Sequence, residues 1–210
     1  MSELVIRTAT GVVMAVVVLF AALQGGYAFA VLAAAAATAV FYEWTRLVRG
    51  WGPAWYLGGF AYALLAALSL LWVRDRAENG IGLVLWVFIL VWSTDIGAYF
   101  AGRAIGGPKL APSISPKKTW AGFYGGIGAA TVLGGAGALF VGLHPLVLLL
   151  APLFSVAAQG GDLFESWMKR RAGVKDSGAL LPGHGGAFDR LDGLLPVAIL
   201  TAFAVLAGAA

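Results

Sequence analysis

Two short acidic patterns in the C-terminal third of the sequence contain the side chains best suited to chemistry. Asp162 lies in the run GGDLFES, and Asp189 lies in the run HGGAFDRLD, where Asp192 follows three residues later. A hard divalent cation such as Mg²⁺ prefers oxygen ligands, which carboxylates from two segments can provide together with phosphate oxygens and water. Asp162 and Asp189 are therefore candidate ligands for such an ion.

The residues around Asp162 form a polar stripe if the segment is helical. At about 100° per residue, a stripe about 80° wide contains Ser155, Gln159, Asp162, Ser166 and Lys169. An intramembrane carboxylate costs roughly 2.5–3.5 kcal/mol on insertion scales, so this stripe is expected to face a wet cavity or a metal. The alternative is that Asp162 only pairs with Lys169, which does not explain why the Ser and Gln side chains align with it.

The loop between the two acidic patterns combines glycine with basic residues. Glycine lacks a Cβ, so Gly183, Gly185 and Gly186 would let backbone N–H groups approach a phosphate closely. The compensating positive charge is expected from Lys169, Arg170, Lys175 and Arg190. A loop that only anchors its neighbouring helices would explain these basic residues, but not the alternation of acid, glycine and His184.

A second polar block precedes the first. The run WSTDIGAYFAGR carries Asp95 and Tyr99 on one helix face, and the loop after it contains SPKKTWAG. Asp95 is either a hydrogen-bond acceptor inside the bundle or a member of the site. Lys117 and Lys118 are either anchors to lipid headgroups or contacts for a triphosphate. Both alternatives stay open at the level of the sequence.

The composition around these segments excludes an ordinary water-soluble protein. Of the 210 residues, 60% are hydrophobic and 11% are charged, and the mean hydropathy is +0.87. We expect an all-α fold, a polytopic membrane helix bundle that forms a single domain over residues 1–210. Within it, residues 1–80 supply N-terminal spans and residues 81–210 the catalytic part. The sequence has no cysteine, which excludes a thiolate metal site.

Apolar runs predict about seven transmembrane helices. These runs cover residues 8–24, 26–43, 54–73, 81–101, 122–143, 145–163 and 193–209. Small residues recur every four positions in the fifth run, from Gly122 to Ala138. This spacing is typical of a helix-packing face, and a glycine-lined ligand groove is the alternative.

The basic residues predict the orientation of these helices. If the N-terminus is cytoplasmic, 14 Lys and Arg residues divide so that only Arg74 and Arg76 lie outside, as the positive-inside rule requires. The C-terminus is then outside and the polar segments face the cytoplasm. The net charge of +4 fits this topology and attraction to anionic membrane lipids, so no nucleic-acid partner is expected.

Residues 161–192 resemble the signature of the phosphatidate cytidylyltransferases, also called CDP-diacylglycerol synthases. The similar pattern is G-D-L-x-x-S, with S-x-x-K-R, four residues, K-D and then P-G-H-G-G-x-x-D-R-x-D, and the block S-P-K-K-T-W-x-G is also similar to that family. The resemblance implies that CTP and phosphatidic acid react to give CDP-diacylglycerol and pyrophosphate. It further implies a bacterial inner (plasma) membrane protein and suggests a homodimer.

The resemblance also implies roles for individual residues. Asp162 and Asp189 match the metal-binding acids of the family and are expected to hold Mg²⁺, with K⁺ as a second cation. Lys169 is expected to be catalytic with these two acids. Phosphate contacts are expected from Ser166, Lys169, Arg170 and Arg190. Site shaping or substrate orientation is expected from Lys175, Asp176, His184 and Asp192.

Two other function classes compete with this interpretation. A CTP-dependent lipid-alcohol kinase would use the same metal, phosphates and membrane, but would transfer the γ-phosphoryl group and need a base near a hydroxyl. A non-enzymatic ion-coupled transporter could use Asp95 and Asp162 as a relay. The transporter alternative leaves the run HGGAFDRLD without an explanation.

Overall fold

The protein is a bundle of apolar helices. A computed structural model describes residues 3–76, 79–144, 146–181 and 183–208. Its helices are α1 (Glu3–Gln24), α2 (Gly26–Leu47), α3 (Pro53–Arg74), α4 (Gly80–Ala104), α5 (Trp120–Ala129), α6 (Gly135–Phe140), α7 (Leu146–Arg171), α8 (Phe188–Leu191) and α9 (Leu194–Leu206), and a π-helical turn, Ala130–Gly134, joins α5 to α6. The predicted helical class is confirmed.

The long apolar runs of the sequence are helical in the structure. Five segments are long and apolar enough to cross a membrane, namely α2, α3, α4, α7 and the continuous unit Trp120–Phe140. Two shorter apolar helical segments, Thr8–Gln24 and Leu194–Leu206, coincide with the first and last predicted runs. α7 continues to Arg171, beyond the predicted end at residue 163, and Lys169 in its last turn donates to Asp189 of α8.

The structure adds one element that the sequence analysis did not predict, an antiparallel hairpin in the loop after α4. Its strands are β1 (Lys109–Ala111) and β2 (Ser115–Thr119). Proline fixes φ and lacks an N–H donor, so Pro108, Pro112 and Pro116 disfavour a helix across this segment. The segment closes as a short hairpin before the chain enters α5.

Small residues let α5 pack closely on α4. The residues at four-residue spacing in this part of the chain are all buried: Gly122, Gly126, Ala130, Gly134 and Ala138. A Cβ at Gly122 would lie 2.8 Å from Ala98 O, and one at Gly126 would lie 3.0 Å from Thr94 O. The predicted packing face is confirmed, because only glycine permits these contacts.

The segments that connect the helices lie at two opposite ends of the bundle. At the first end, Arg171 lies 4.4 Å above the ring of Trp51, and Arg170 Nε donates to Ile114 O (3.2 Å). These contacts bring together the α2–α3, α4–α5 and α7–α8 connections, which we call the site end. The α1–α2, α3–α4 and α6–α7 connections form the opposite end, where Arg74 reaches the last turn of α1.

An apolar layer lies directly beneath the site end. Trp44, Met168 and Phe188 are buried there, on α2, α7 and α8 respectively. The rings of Trp44 and Phe188 have centroids 5.7 Å apart. This packing ties the short helix α8, which carries Asp189, to the longer helices around it.

Candidate active site

The first part of the polar stripe of α7 faces other helices, whereas a wet cavity or a metal was expected there. Ser155 and Gln159 are buried where α7 meets α4 and α5. Thr94 Oγ1 donates to Ser155 Oγ (3.0 Å), and Gln159 Nε2 donates to Phe123 O (3.2 Å). Asp162 continues the same stripe toward the site end.

Three carboxylates converge at this position. Oxygen atoms of Asp162 and Glu165 on α7 and of Asp192, just before α9, all lie within 4.8 Å of one another. A Cβ at Gly161 would lie 2.2 Å from Asp192 O, so glycine is what allows α7 to approach Asp192 this closely. Carboxylates at such distances repel one another when ionised, and a bound cation would offset that repulsion.

Glu165 is a candidate site residue that the sequence reasoning missed. Its side chain is 1% exposed, and it lies one helical turn before Lys169, at the margin of the predicted stripe. That position was a usable signal, because a carboxylate beside an otherwise aligned polar stripe is costly on an apolar helix.

Asp162 forms an ion pair and a hydrogen bond within this site. Lys118 from β2 forms an ion pair with Asp162 Oδ2, and Ser166 Oγ donates to Asp162 Oδ1 (3.3 Å). A positive charge therefore already lies beside the three carboxylates. Neither alternative for Lys118 in the sequence analysis included this ion pair, which depends on the hairpin fold.

Lys169 joins the carboxylate group to Asp189. Its Nζ donates to Glu165 Oε2 (2.7 Å) and to Asp189 Oδ1 (2.6 Å). The other oxygen of Asp189, Oδ2, accepts from the backbone N–H groups of Ser177 (3.1 Å) and Gly186 (2.9 Å). Burial raises the pKa of Asp189, but the hydrogen bonds from Lys169 and Gly186 outweigh burial and leave this pKa lowered.

Asp162 and Asp189 were expected to bind the same metal ion, but Asp189 lies outside the carboxylate group that contains Asp162. Among the residues that the structure describes, the group of close carboxylates contains Asp162, Glu165 and Asp192 but not Asp189. Both oxygens of Asp189 are engaged by Lys169 and by loop N–H groups. The pairing of Asp162 with Asp189 on one metal ion therefore stays a prediction, and Asp192 offers an alternative partner.

The environment of Asp192 favours its protonated form. Burial, followed by the charge of Asp162, raises the pKa of Asp192 to about 8. The backbone N–H of Gly193 donates to Asp192 Oδ1 (2.8 Å) and partly opposes this rise. Since a metal ligand must be deprotonated, cation binding at this carboxylate would release a proton at neutral pH.

A second group of predicted residues surrounds a polar cavity of about 540 Å³. Its lining residues are Lys175, Asp176, Gly183, His184, Gly185 and Arg190. Gly183 and Gly185 have φ values of 75° and 81°, which only glycine adopts readily. Arg190 Nε donates to His184 O (3.0 Å) and so closes the glycine turn.

The remaining predicted residues lie at the margin of these two groups. Arg170 donates to Ile114 O (3.2 Å) and Val174 O (3.1 Å), so it holds the hairpin loop and the end of α7. Lys117 is exposed on β2, and Asp95 is exposed on α4. Contacts of Arg170 and Lys117 with a substrate stay predictions.

An apolar groove of about 680 Å³ opens beside the carboxylates. Its lining includes Trp44, Trp55, Tyr62, Gly161, Phe164 and Pro196. Gly161 precedes Asp162 directly, so the groove begins where the acidic group ends. An apolar surface is thus continuous with a charged one.

Comparison with known proteins identifies relatives over most of the chain. Residues 51–207 match the Cytidylyltransferase family. A phosphatidate cytidylyltransferase of Brucella suis biovar 1 (strain 1330) is 39% identical over 250 residues, covering 95% of this chain and 92% of the relative. The protein of the same name from Pseudomonas aeruginosa is 40% identical over 179 residues, covering 83% and 65%, and that from Bacillus subtilis (strain 168) is 45% identical over 126 residues, covering 59% and 47%.

Proposed function

The chain belongs to the cytidylyltransferase family, and we propose that it transfers the cytidylyl group of CTP to phosphatidate. A phosphate oxygen of phosphatidate attacks the α-phosphorus of CTP, and the bond from that phosphorus to the oxygen bridging the β-phosphate breaks. CDP-diacylglycerol forms and pyrophosphate leaves. The attacking phosphate is already anionic, so the protein needs to supply positioning and charge neutralisation rather than a nucleophile.

The observation that best supports this proposal is the group of three carboxylates beside two lysines. The oxygens of Asp162, Glu165 and Asp192 lie within 4.8 Å of one another, and this all-oxygen donor set fits Mg²⁺. We propose that these residues hold the ion, with Asp162 as the ligand common to the sequence-based assignment. Mg²⁺ would supply neutralisation of nucleotide phosphate charge when bound.

The basic residues have complementary functions in this proposal. Lys118 pairs with Asp162 and lies where it can turn to a phosphate of a bound substrate. Lys169 is held between Glu165 and Asp189, so its ammonium has a fixed position next to the carboxylates. Lys175 and Arg190 line the polar cavity and provide positive charge for the phosphates of CTP.

The apolar groove supports phosphatidate as the second substrate. A lipid substrate needs its phosphate near the charged residues while its acyl chains remain in an apolar environment. The groove lined by Trp55, Tyr62 and Phe164 begins next to Asp162 and satisfies this geometry. We propose that the diacylglycerol part of phosphatidate lies there during the reaction.

The topology proposed for this function has about seven membrane crossings, with the N-terminus and the site end in the cytoplasm. Two observations support it: the helical segments alternate between the two ends, and Arg74 and Arg76 lie at the opposite end. A bacterial inner membrane is the proposed location. K⁺ as a second ion and a homodimer stay predictions from the family resemblance.

The proposal is tested with purified protein, phosphatidate and CTP that is radiolabelled at either the α- or the γ-phosphate. We expect the α-label in a CDP-lipid and the γ-label in pyrophosphate. With diacylglycerol added as an alcohol acceptor, a γ-labelled phospholipid with unlabelled CDP would instead identify a lipid kinase. Ion-coupled flux without consumption of CTP would identify a transporter.

A further inference from the structure

Glu43, on α2, is a fully buried carboxylate that neither the sequence analysis nor the proposed function uses. It is 0% exposed and lies before the first residue of the family match, which begins at residue 51. Its Oε2 accepts hydrogen bonds from Ser177 Oγ (2.9 Å) and from the backbone N–H of Phe188 (2.8 Å). Within the described residues, its Oε1 is buried without a hydrogen-bond partner.

The loop after α7 is shaped to accept this carboxylate. A Cβ at Gly178 would lie 2.2 Å from Glu43 Oε1, and a Cβ at Gly186 would lie 2.4 Å from Glu43 Oε2. Neither glycine has the positive φ that would require glycine for backbone reasons. A side chain has no room at Gly178 because of the Glu43 carboxylate, and none at Gly186 because of that carboxylate and Ser177 Oγ, 2.1 Å from such a Cβ.

The residues that Glu43 holds are also those that hold Asp189. Ser177 donates to Glu43 through its hydroxyl and to Asp189 Oδ2 through its backbone N–H. Gly186 lies against Glu43 and donates its backbone N–H to the same oxygen of Asp189. Asp189 in turn accepts from Lys169 at 2.6 Å. One carboxylate on α2 thus contacts both Ser177 and Gly186, the two loop residues whose N–H groups bind Asp189.

Stability alone does not account for an acid at this position. The neighbours of Glu43 on α2, Val40, Trp44 and Leu47, belong to the apolar layer beneath the site end. A buried carboxylate with few partners costs more than an apolar side chain of the same size. We therefore assign the Glu43 carboxylate to fixing the conformation of the loop rather than to stabilising the bundle.

We propose that Glu43 is a positioning residue, which holds Ser177, Gly178 and Gly186 against α2 and thereby fixes Asp189 and Lys169 for cytidylyl transfer. The inference rests on the proposed function for its catalytic consequence. Its structural part, the closure of the loop, does not depend on which reaction the protein catalyses.

The test measures both loop mobility and turnover. The sequence contains no cysteine, so a spin label on Leu180→Cys reports the loop alone, and a label on Tyr27→Cys, at the start of α2, reports the opposite end. Glu43→Leu keeps the side-chain volume and removes both acceptors. We expect higher mobility at position 180, unchanged mobility at position 27 and a kcat about 10- to 100-fold lower, with a smaller change in KM for CTP.

Two further variants keep the test decisive. Thr201→Val is the matched control, because Thr201 is buried and, among the residues that the structure describes, its hydroxyl bonds only to Val197 O of its own helix (2.8 Å). The kcat and both label mobilities should therefore match wild type. Ser177→Ala removes only the hydroxyl contact and should lower kcat about threefold while loosening position 180. Combined with Glu43→Leu, it should add little, since both changes act through the same contact.

Several outcomes would overturn the inference. Wild-type mobility at position 180 and wild-type kcat in Glu43→Leu would do so, as would equal loosening at positions 27 and 180, which would indicate a general effect on folding. If Glu43→Leu does not fold, wild-type values for both measurements in Ser177→Ala would contradict the inference. A wild-type protein that forms no CDP-lipid contradicts the proposed function instead, and the label mobilities still test the loop.

Discussion

The two ends of the bundle use polar side chains in different ways. At the opposite end, Arg74 Nε donates to Ala22 O (2.5 Å) and Arg74 Nη2 to Leu23 O (2.9 Å), and Asn79 Nδ2 donates to Gly142 O (3.2 Å). These side chains satisfy carbonyl groups that the ends of helices leave free. Their partners are main-chain carbonyl groups, two in the last turn of α1 and one, that of Gly142, in the α6–α7 connection.

At the site end, several charged side chains also contact one another. Asp162 pairs with Lys118, and Lys169 pairs with both Glu165 and Asp189. These residues come from β2, α7 and α8, so the contacts join segments that are distant in sequence. The difference indicates that the opposite end closes the bundle, whereas the site end places charges where a substrate can use them.

The largest expected effect comes from removing a charge of the carboxylate group. Asp162→Asn should lower kcat by more than about 100-fold, because loss of a metal ligand costs more than loss of the residues that support it. The matched control is Asp75→Asn, which neutralises an exposed acid at the opposite end and should retain wild-type activity. The assay of labelled CTP with phosphatidate measures both. Equal activity of the two variants would contradict the proposal that the site end, and not the opposite end, takes part in turnover.

A smaller effect is expected from Lys118. Lys118→Met keeps the length of the side chain but removes the charge beside Asp162, and we expect kcat to fall about tenfold, or roughly 1.4 kcal/mol. Lys169 still provides a positive charge nearby, which limits the loss. The control is Lys109→Met, at an exposed position on the neighbouring strand, and its kcat should stay near the wild-type value. An unchanged kcat in Lys118→Met would show that the ion pair does not contribute to turnover.

The smallest effect on turnover is expected at the opposite end. Arg74→Ala should leave the activity per folded molecule unchanged and lower the free energy of unfolding by about 1.5–3 kcal/mol, since two hydrogen bonds from a charged donor are lost. Arg76→Ala removes only a contact with the ring of Trp72 (5.2 Å) and should cost about 0.5–1 kcal/mol. Thermal unfolding and the CTP assay distinguish these effects. A loss of kcat in Arg74→Ala at wild-type stability would contradict the assignment of this end to closure.

Periodic patterns of the sequence predicted much of this arrangement. The apolar runs predicted the helices. The spacing from Ser155 to Lys169 predicted which face of α7 turns away from lipid. These features depend on residues within one element, so a local pattern contains them. The sequence analysis also expected Lys175 and Arg190 to provide positive charge near the glycines around His184, and these residues line one cavity.

Contacts between distant segments could not be predicted in the same way. Glu43 lies at the end of an apolar run and has the appearance of an ordinary interfacial charge, yet its partner Ser177 is 134 residues away. The ion pair of Lys118 with Asp162 required the hairpin, which the sequence analysis did not predict. Asp192 lies in the carboxylate group because Gly161 on α7 allows the backbone of Asp192 to come close. Helical periodicity does not predict such a contact between two segments.

Binding of Mn²⁺, an oxygen-seeking substitute for Mg²⁺, tests the central claim most directly. Electron paramagnetic resonance of purified protein titrated with Mn²⁺ counts bound ions without relying on turnover. We predict one saturable site in the wild-type protein that is lost in Asp162→Asn and in Asp192→Asn but retained in Asp75→Asn. Undiminished Mn²⁺ binding in Asp162→Asn and Asp192→Asn would contradict the claim that these carboxylates hold the divalent cation.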